Sequence, residues 1–213
     1  MRATRIIWHG HSCFEVRDEV SIVVDPHDGR SIGIRPPKAS ADLVLVTHDH
    51  FDHNAIRVVA GPGTKVVSEP GRVKRQGVRV VGIPAFHDAV GGERRGKMVI
   101  YRFTVDDITF CHLGDIGEQL DPQKLREIGE VDVLFVPAGG RFTLEPAEAW
   151  DLATRIGPRV IVPMHFHVGG VSLPLQPVSV FLRKADRVVD VGSEVDIVKE
   201  ELPGEREVWV FSL

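Results

Sequence analysis

The chain has 213 residues, of which 43% are apolar and 26% charged, as expected for one globular domain with a substantial core. A net charge of −4 gives no general attraction to nucleic acid or anionic lipid, and Cys13 and Cys111 are too few for a disulfide framework. No apolar stretch approaches the roughly 18 residues of a membrane span, so we expect a single cytoplasmic domain over residues 1–213 without a signal peptide.

Short strands separated by glycine, aspartate and proline dominate the first half of the chain. Strands are predicted at residues 4–8, 12–16, 20–24, 43–46, 65–67, 78–83, 98–105 and 108–112, with helices at 54–60 and 70–76. The second half alternates, with helices at 122–128, 146–156 and 177–185 and strands at 131–136, 159–163, 187–191, 194–198 and 207–211. This order predicts an α/β fold in which two mixed sheets pack face to face with helices outside.

One stretch concentrates metal-binding side chains: Thr47-His48-Asp49-His50-Phe51-Asp52-His53. It follows the predicted strand 43–46 and precedes the predicted helix 54–60, which makes it a turn between a strand and a helix. Its three histidines and two aspartates would repel and desolvate one another if they were buried without a cation. Imidazole and carboxylate suit zinc, iron or manganese, so we interpret the turn as part of a metal site rather than as a His-rich surface loop.

The other histidines extend this interpretation, because all ten lie at strand ends or in turns and none lies inside a predicted helix. Ligand sites of layered α/β folds collect at strand ends, so dispersed segments can meet at one centre. Three further segments end a predicted strand with candidate ligands: Ile83-Pro84-Ala85-Phe86-His87-Asp88, Phe110-Cys111-His112-Leu113-Gly114-Asp115 and Val162-Pro163-Met164-His165-Phe166-His167.

The pattern His-x-His-x-Asp-His resembles the signature of the metallo-β-lactamase superfamily, in which it lies between a strand and a helix. The three later segments have the order and spacing of that family's remaining ligand segments, and the likeness runs from about residue 5 to 167. It is greatest to a branch containing ascorbate-pathway lactonases, the phospholipase D acting on N-acyl phosphatidylethanolamine, and uncharacterised bacterial metal-dependent hydrolases. It implies a four-layer αβ/βα sandwich. Supporting segments are Gly10-His11-Ser12-Cys13-Phe14, Val24-Asp25-Pro26, Gly114-Asp115 and Pro137-Ala138-Gly139-Gly140.

The resemblance also implies a binuclear centre. One divalent ion would be held by His48, His50 and His87, and a second by Asp52, His53 and His165, with Asp115 bridging the two. Zinc is the favoured metal, with manganese and iron as alternatives. A bridging hydroxide would attack a carbonyl carbon or a phosphorus. The catalytic candidates are the ligand Asp52 and the histidines that could protonate the leaving group, namely His112, His167 and His11.

These features predict a metal-dependent hydrolase that acts on a small anionic or ester substrate. Two divalent ions, two carboxylates and a hydroxide leave a formal charge of about +1, which favours a phosphodiester over a lactone or other cyclic ester. The alternative is a metal-binding or sensing protein that kept the cluster and lost turnover. Nucleic acid is not an expected partner of this acidic chain, and a homo-oligomer is compatible with the sequence.

Three assignments near the centre stay open. His112 is the alternative to His87 as a ligand, because it lies three residues before Asp115. Asp25 either accepts a hydrogen bond from a liganding imidazole or simply begins an Asp-Pro turn. Gly139-Gly140 either lets the backbone approach the site or forms an ordinary turn.

The substrate is expected to be selected by the loops 88–97 and 169–174. In the first of them, Arg94, Arg95 and Lys97 either meet an anionic substrate or form a solvated charged hairpin.

Overall fold

The computed structural model describes residues 3–213. Within this range the strands, in chain order, are β1 (Thr4–Trp8), β2 (Phe14–Arg17), β3 (Ser21–Val24), β4 (Ala41–Leu45), β5 (Ala60–Val67), β6 (Gly71–Arg75), β7 (Val78–Phe86), β8 (Lys97–Val105), β9 (Ile108–His112), β10 (Val133–Pro137), β11 (Val160–Met164), β12 (Val188–Gly192), β13 (Glu194–Ile197) and β14 (Glu207–Phe211). The α-helices are α1 (Pro122–Ile128), α2 (Pro146–Ile156) and α3 (Ser179–Leu182). Within the described residues, no helix has both the length and the apolar composition of a membrane span.

The strands form two mixed sheets. The first has the order β13-β1-β2-β3-β4-β5, and the second has the order β12-β14-β11-β10-β9-β8-β7-β6. In the first sheet β3, β4 and β5 are parallel, whereas each neighbouring pair in the order β13-β1-β2-β3 is antiparallel. The second sheet is parallel from β12 to β9 and antiparallel from β9 to β6. The predicted α/β sandwich of two mixed sheets is therefore confirmed.

A continuous apolar core joins the two sheets. Phe14 of the first sheet lies with its ring centroid 4.4 Å from that of Phe135 in the second, and Trp8 stacks on Phe166 at 5.3 Å. All four side chains are almost fully buried, and large aromatic rings of this kind contribute much of a core's stability. This packing holds the ends of strands from both sheets at one edge, where the candidate ligands lie.

Helix α2 covers part of the second sheet and spans the predicted residues. Pro146 occupies its first turn, and the Glu145 and Glu148 side chains each accept a backbone N–H of the other, which satisfies two otherwise free donors. Ala149, Leu152 and Ala153 are buried at the spacing of one helical face, and the chain leaves the helix through Gly157. Helix α1 also matches its predicted residues, whereas the predicted helix 177–185 is reduced to α3.

Two predicted helices of the first half are wrong. Residues 54–60 contain only a 3₁₀ turn, Ile56–Val58, and then enter strand β5. Residues 71–75 form β6, which pairs with β7 through a tight turn at Gln76 and Gly77, both with positive φ. A turn of that geometry suits the twist of an antiparallel pair, so hairpin formation overrides the local helical pattern.

Candidate metal centre

Three histidines form the first half of the centre. His48 follows β4 by three residues, His50 comes two residues later, and His87 immediately follows β7. One ring nitrogen from each lies within 4.8 Å of the others, close enough for all three to contact one ion. His48 and His87 are buried and His50 is partly buried. The structure thus brings together the three side chains predicted for the first metal.

The second half of the centre contains the three residues predicted for the second metal, and His11 in addition. Ligand atoms of Asp52, His53, His165 and His11 lie within 4.8 Å of one another, and all four residues are buried. His11 Nε2 lies 3.0 Å from Asp52 Oδ2, which in turn lies 3.7 Å from His53 Nε2. His11 is one of the three candidate proton donors predicted from the sequence, and its position beside Asp52 gives it a place in the centre.

Asp115 lies between the two halves. Its Oδ2 atom is 3.6 Å from His87 Nε2 in the first half, and 3.3 Å and 3.1 Å from the Nε2 atoms of His53 and His165 in the second. One carboxylate oxygen therefore faces imidazoles of both groups. This is the position in which a carboxylate can contact two ions.

Asp25 holds neighbouring candidate ligands through hydrogen bonds. It accepts two from Thr47, one from the backbone N–H at 2.8 Å and one from the hydroxyl at 2.7 Å. The same hydroxyl accepts from His48 Nδ1 at 2.9 Å, and Asp25 also accepts from His53 Nδ1 at 3.0 Å. With the Nδ1 atoms protonated, His48 and His53 each direct an Nε2 lone pair into the centre.

Removing this support should weaken metal binding. We expect Asp25→Asn to reduce zinc affinity about 10- to 100-fold, because its amide would point N–H groups at atoms that now donate to the carboxylate. Competition with a chromogenic chelator measures the affinity. Asp28→Asn is the matched control, since Asp28 also accepts hydrogen bonds in this turn but only from the exposed Ser31. An Asp25→Asn affinity equal to that of the control would contradict this role.

The imidazoles at the centre differ in their tendency to bind a proton. Burial lowers the pKa of His48 to about 3 and that of His87 to about 4, so both rings are neutral and have a lone pair for a metal. Burial alone would also lower the pKa of His53, but the carboxylates of Asp115 and Asp25 raise it. A cation is thus favoured between His53 and these carboxylates.

The donor set fits divalent transition metals. His48 Nε2, His53 Nε2 and Asp115 Oδ1 are buried without a hydrogen-bond partner among residues 3–213. Leaving a buried polar atom unpaired costs about 1–3 kcal/mol, and three such atoms at one centre are explained if they bind ions. Imidazole nitrogen and carboxylate oxygen are the ligands that zinc, manganese and iron share.

The backbone around the centre is held in uncommon conformations. His11, Asp25 and His165 have φ values of 54°, 49° and 51°, in the left-handed region that side chains other than glycine rarely adopt. Such strain concentrates at functional sites. Gly139 packs directly on this region, since a Cβ there would lie 2.2 Å from the His165 carbonyl oxygen. The Gly139-Gly140 segment therefore serves close backbone approach as well as turn formation.

Two predicted catalytic histidines lie outside these groups. Both ring nitrogens of the fully buried His112 are used, since Nε2 donates to the Ser12 carbonyl at 2.9 Å and Nδ1 accepts from the Gly114 N–H at 3.1 Å. This arrangement leaves His112 no lone pair for a metal, and it positions the backbone just before Asp115. His167 is exposed and belongs to neither group of ligand atoms.

Comparisons with known proteins identify the family of the chain. The β-lactamase superfamily domain matches residues 5–165. The UPF0173 metal-dependent hydrolase of Methanopyrus kandleri is 32% identical over 94% of this chain and 98% of its own length. That of Thermococcus onnurineus is 28% identical over 92% and 95%. A crystal structure of a candidate Zn-dependent hydrolase of the metallo-β-lactamase superfamily from Thermotoga maritima superposes with a TM-score of 0.81, at 36% identity and 98% coverage of both chains.

The two-sheet fold and the His/Asp cluster define a metal-dependent hydrolase of the metallo-β-lactamase fold. Within that superfamily, the chain belongs to the UPF0173 metal-dependent hydrolases.

Proposed function

We propose that the protein is a binuclear hydrolase of small phosphodiesters. His48, His50 and His87 would hold one ion, Asp52, His53 and His165 the other, and Asp115 would contact both. The observation that supports this arrangement best is the position of Asp115 Oδ2, within 3.6 Å of imidazoles from both groups. Zinc is the favoured metal, because these neutral imidazoles and carboxylates match its preferred ligands.

When bound, the ions would supply Lewis acidity and lower the pKa of a coordinated water toward about 7. The protein's own residues would orient the ligands: Thr47 and Asp25 fix His48 and His53, and His11 fixes Asp52. His112 is assigned a positioning role, because its ring nitrogens bind backbone. His167 stays in the proposal as the proton donor to the leaving group, because its side chain is exposed two residues beyond His165.

The charge of the centre favours an anionic substrate. By formal counting, two divalent ions exceed the combined charge of Asp52, Asp115 and a bound hydroxide, so the centre would stay positive. A phosphodiester carries a negative charge in both its ground state and its transition state, whereas a lactone gains charge only during attack. Both would be attracted by the centre, and the diester would be attracted before reaction as well.

A turnover panel tests this function. The zinc- and manganese-loaded protein should hydrolyse bis-p-nitrophenyl phosphate faster than a γ-lactone or nitrocefin, and a chelator should remove the activity. Faster turnover of the lactone would identify a lactonase instead. No turnover on any of these substrates by protein shown to contain two ions would favour the alternative, a metal-binding or sensing protein.

A further inference from the structure

A cavity of about 490 Å³ lies beside the metal centre, on the side of His87. Its volume is that of a small-molecule site. His87 belongs to its wall, so a ligand bound there is adjacent to the first group of metal ligands. The cavity lies between two loops that are distant in sequence. Its cationic side chains are Arg94 and Arg95 from the loop after β7, and Arg141 from the loop before α2.

The loop that carries Arg94 and Arg95 is organised by one buried carboxylate. Asp88 accepts four backbone hydrogen bonds, from Val90, Gly92, Arg94 and Arg95, at 2.7–2.9 Å. These bonds fold residues 88–95 around the carboxylate and fix the backbone of both arginines next to His87. The sequence left open whether these arginines form only a solvated hairpin, and the fixed backbone supports the substrate-facing alternative.

The opposite loop is in contact with this one. The guanidinium of Arg95 lies 4.6 Å from the centre of the Phe142 ring, a cation–π distance. Arg141 adjoins Phe142 and has a φ of 68°, in the left-handed region. The two loops therefore meet at the cavity, and all three arginines are among the residues that line it.

The charges of the wall are not balanced by ion pairs. Among residues 3–213, none of the three arginines lies within 4.0 Å of a carboxylate oxygen in a salt bridge. Two carboxylates line the cavity, but Asp88 is surrounded by its four N–H donors, and Glu148 accepts the backbone N–H of Glu145. Three arginines and two carboxylates leave the cavity wall with a net positive formal charge, and the arginine side chains are free of ion pairs among the described residues.

We infer that this cavity binds a phosphate group of the substrate other than the one hydrolysed. The inference rests on the proposed phosphodiesterase function and narrows its substrate class to small diesters that carry a second, terminal phosphate. Guanidinium groups present planar pairs of N–H donors that match phosphate oxygens. A dianionic phosphate also suits a wall with three guanidiniums better than a single carboxylate does.

Arginine protection tests the phosphate site without requiring turnover. The metal-loaded protein is labelled with phenylglyoxal, with inorganic phosphate or with chloride at equal ionic strength, and the modified peptides are measured by mass spectrometry. Phosphate should slow labelling of Arg95 and Arg141, whereas Arg79, exposed on β7 and outside the cavity, should react at an unchanged rate.

Variants distinguish protection by phosphate bound in this cavity from protection by phosphate bound at the metals. Arg141→Gln should raise the phosphate concentration that half-protects Arg95 about tenfold, because a charge-assisted contact is lost, whereas Arg79→Gln should not. An unprotected Arg95 in the wild type, or protection that Arg141→Gln leaves unchanged, would overturn the inference.

A pair of substrates links the cavity to hydrolysis. The p-nitrophenyl ester of thymidine 5′-phosphate should have a KM about tenfold lower when a 3′-phosphate is present, and Arg141→Gln should remove the difference. Equal KM values in the wild type would contradict the assignment of the cavity to the substrate. If phosphate protects Arg95 but neither ester is hydrolysed, the phosphate site is supported and the phosphodiesterase function is rejected. If the esters are hydrolysed but phosphate does not protect Arg95, the function is supported and the phosphate site is rejected.

Discussion

Asp115→Asn is expected to lower the turnover of the metal-loaded enzyme at least about a thousandfold. The proposed function gives this carboxylate contacts with both ions, so its loss affects both halves of the centre. An amide is a neutral and weaker ligand, and it would direct N–H groups at imidazoles that face Asp115 Oδ2 at 3.1–3.6 Å. Bound metal should fall below two ions per chain, as measured by elemental analysis after gel filtration.

Asp132→Asn is the matched control for Asp115→Asn. Asp132 is also a buried aspartate near β9, but it accepts the Thr109 N–H at the opposite end of that strand from the centre. This variant should lose stability while keeping both ions and most of the activity. If Asp115→Asn kept two ions and full turnover, a bridging role for Asp115 would be rejected.

His87→Ala and His112→Ala are expected to differ in metal content. His87 faces the first group of ligands, so its loss should reduce the bound metal from two ions to about one. His112 binds only backbone atoms, so its loss should leave both ions in place. It should instead destabilise the fold by about 3 kcal/mol, since the Ser12 carbonyl and the Gly114 N–H lose their partner and a cavity forms.

Two measurements on the same samples decide between the histidines: metal content by elemental analysis and the free energy of unfolding of the chelated protein in denaturant. If His112→Ala lost one ion and His87→Ala kept two, His112 would be the metal ligand and His87 would not. That result would also contradict the hydrogen bonds that occupy His112.

Much of the candidate site could be predicted because its residues are close in sequence or end a strand. His48, His50, Asp52 and His53 share one turn, and the later candidate ligands follow β7, β9 and β11 at the edge where these strands end. The two mixed sheets were predictable for a similar reason, since apolar runs and turn residues mark most strands locally.

Other features depend on contacts that the sequence does not contain. Strand β6 forms because it pairs with β7, although residues 70–76 alone resemble a helix. His87 immediately follows β7 and His112 ends β9, so the two have similar positions in the sequence, and only the hydrogen bonds of His112 show that its ring nitrogens are occupied. The cavity beside His87 is lined by Arg94 and Arg95 from one loop and by Arg141 from another. Local sequence patterns do not reveal that these two loops lie close together.

The most direct test of the central claim is anomalous diffraction at the zinc edge from crystals of the zinc-loaded protein. Two peaks are predicted, one contacted by His48, His50 and His87 and the other by Asp52, His53 and His165, with Asp115 contacting both. A single peak, or peaks that these side chains do not contact, would contradict the binuclear centre.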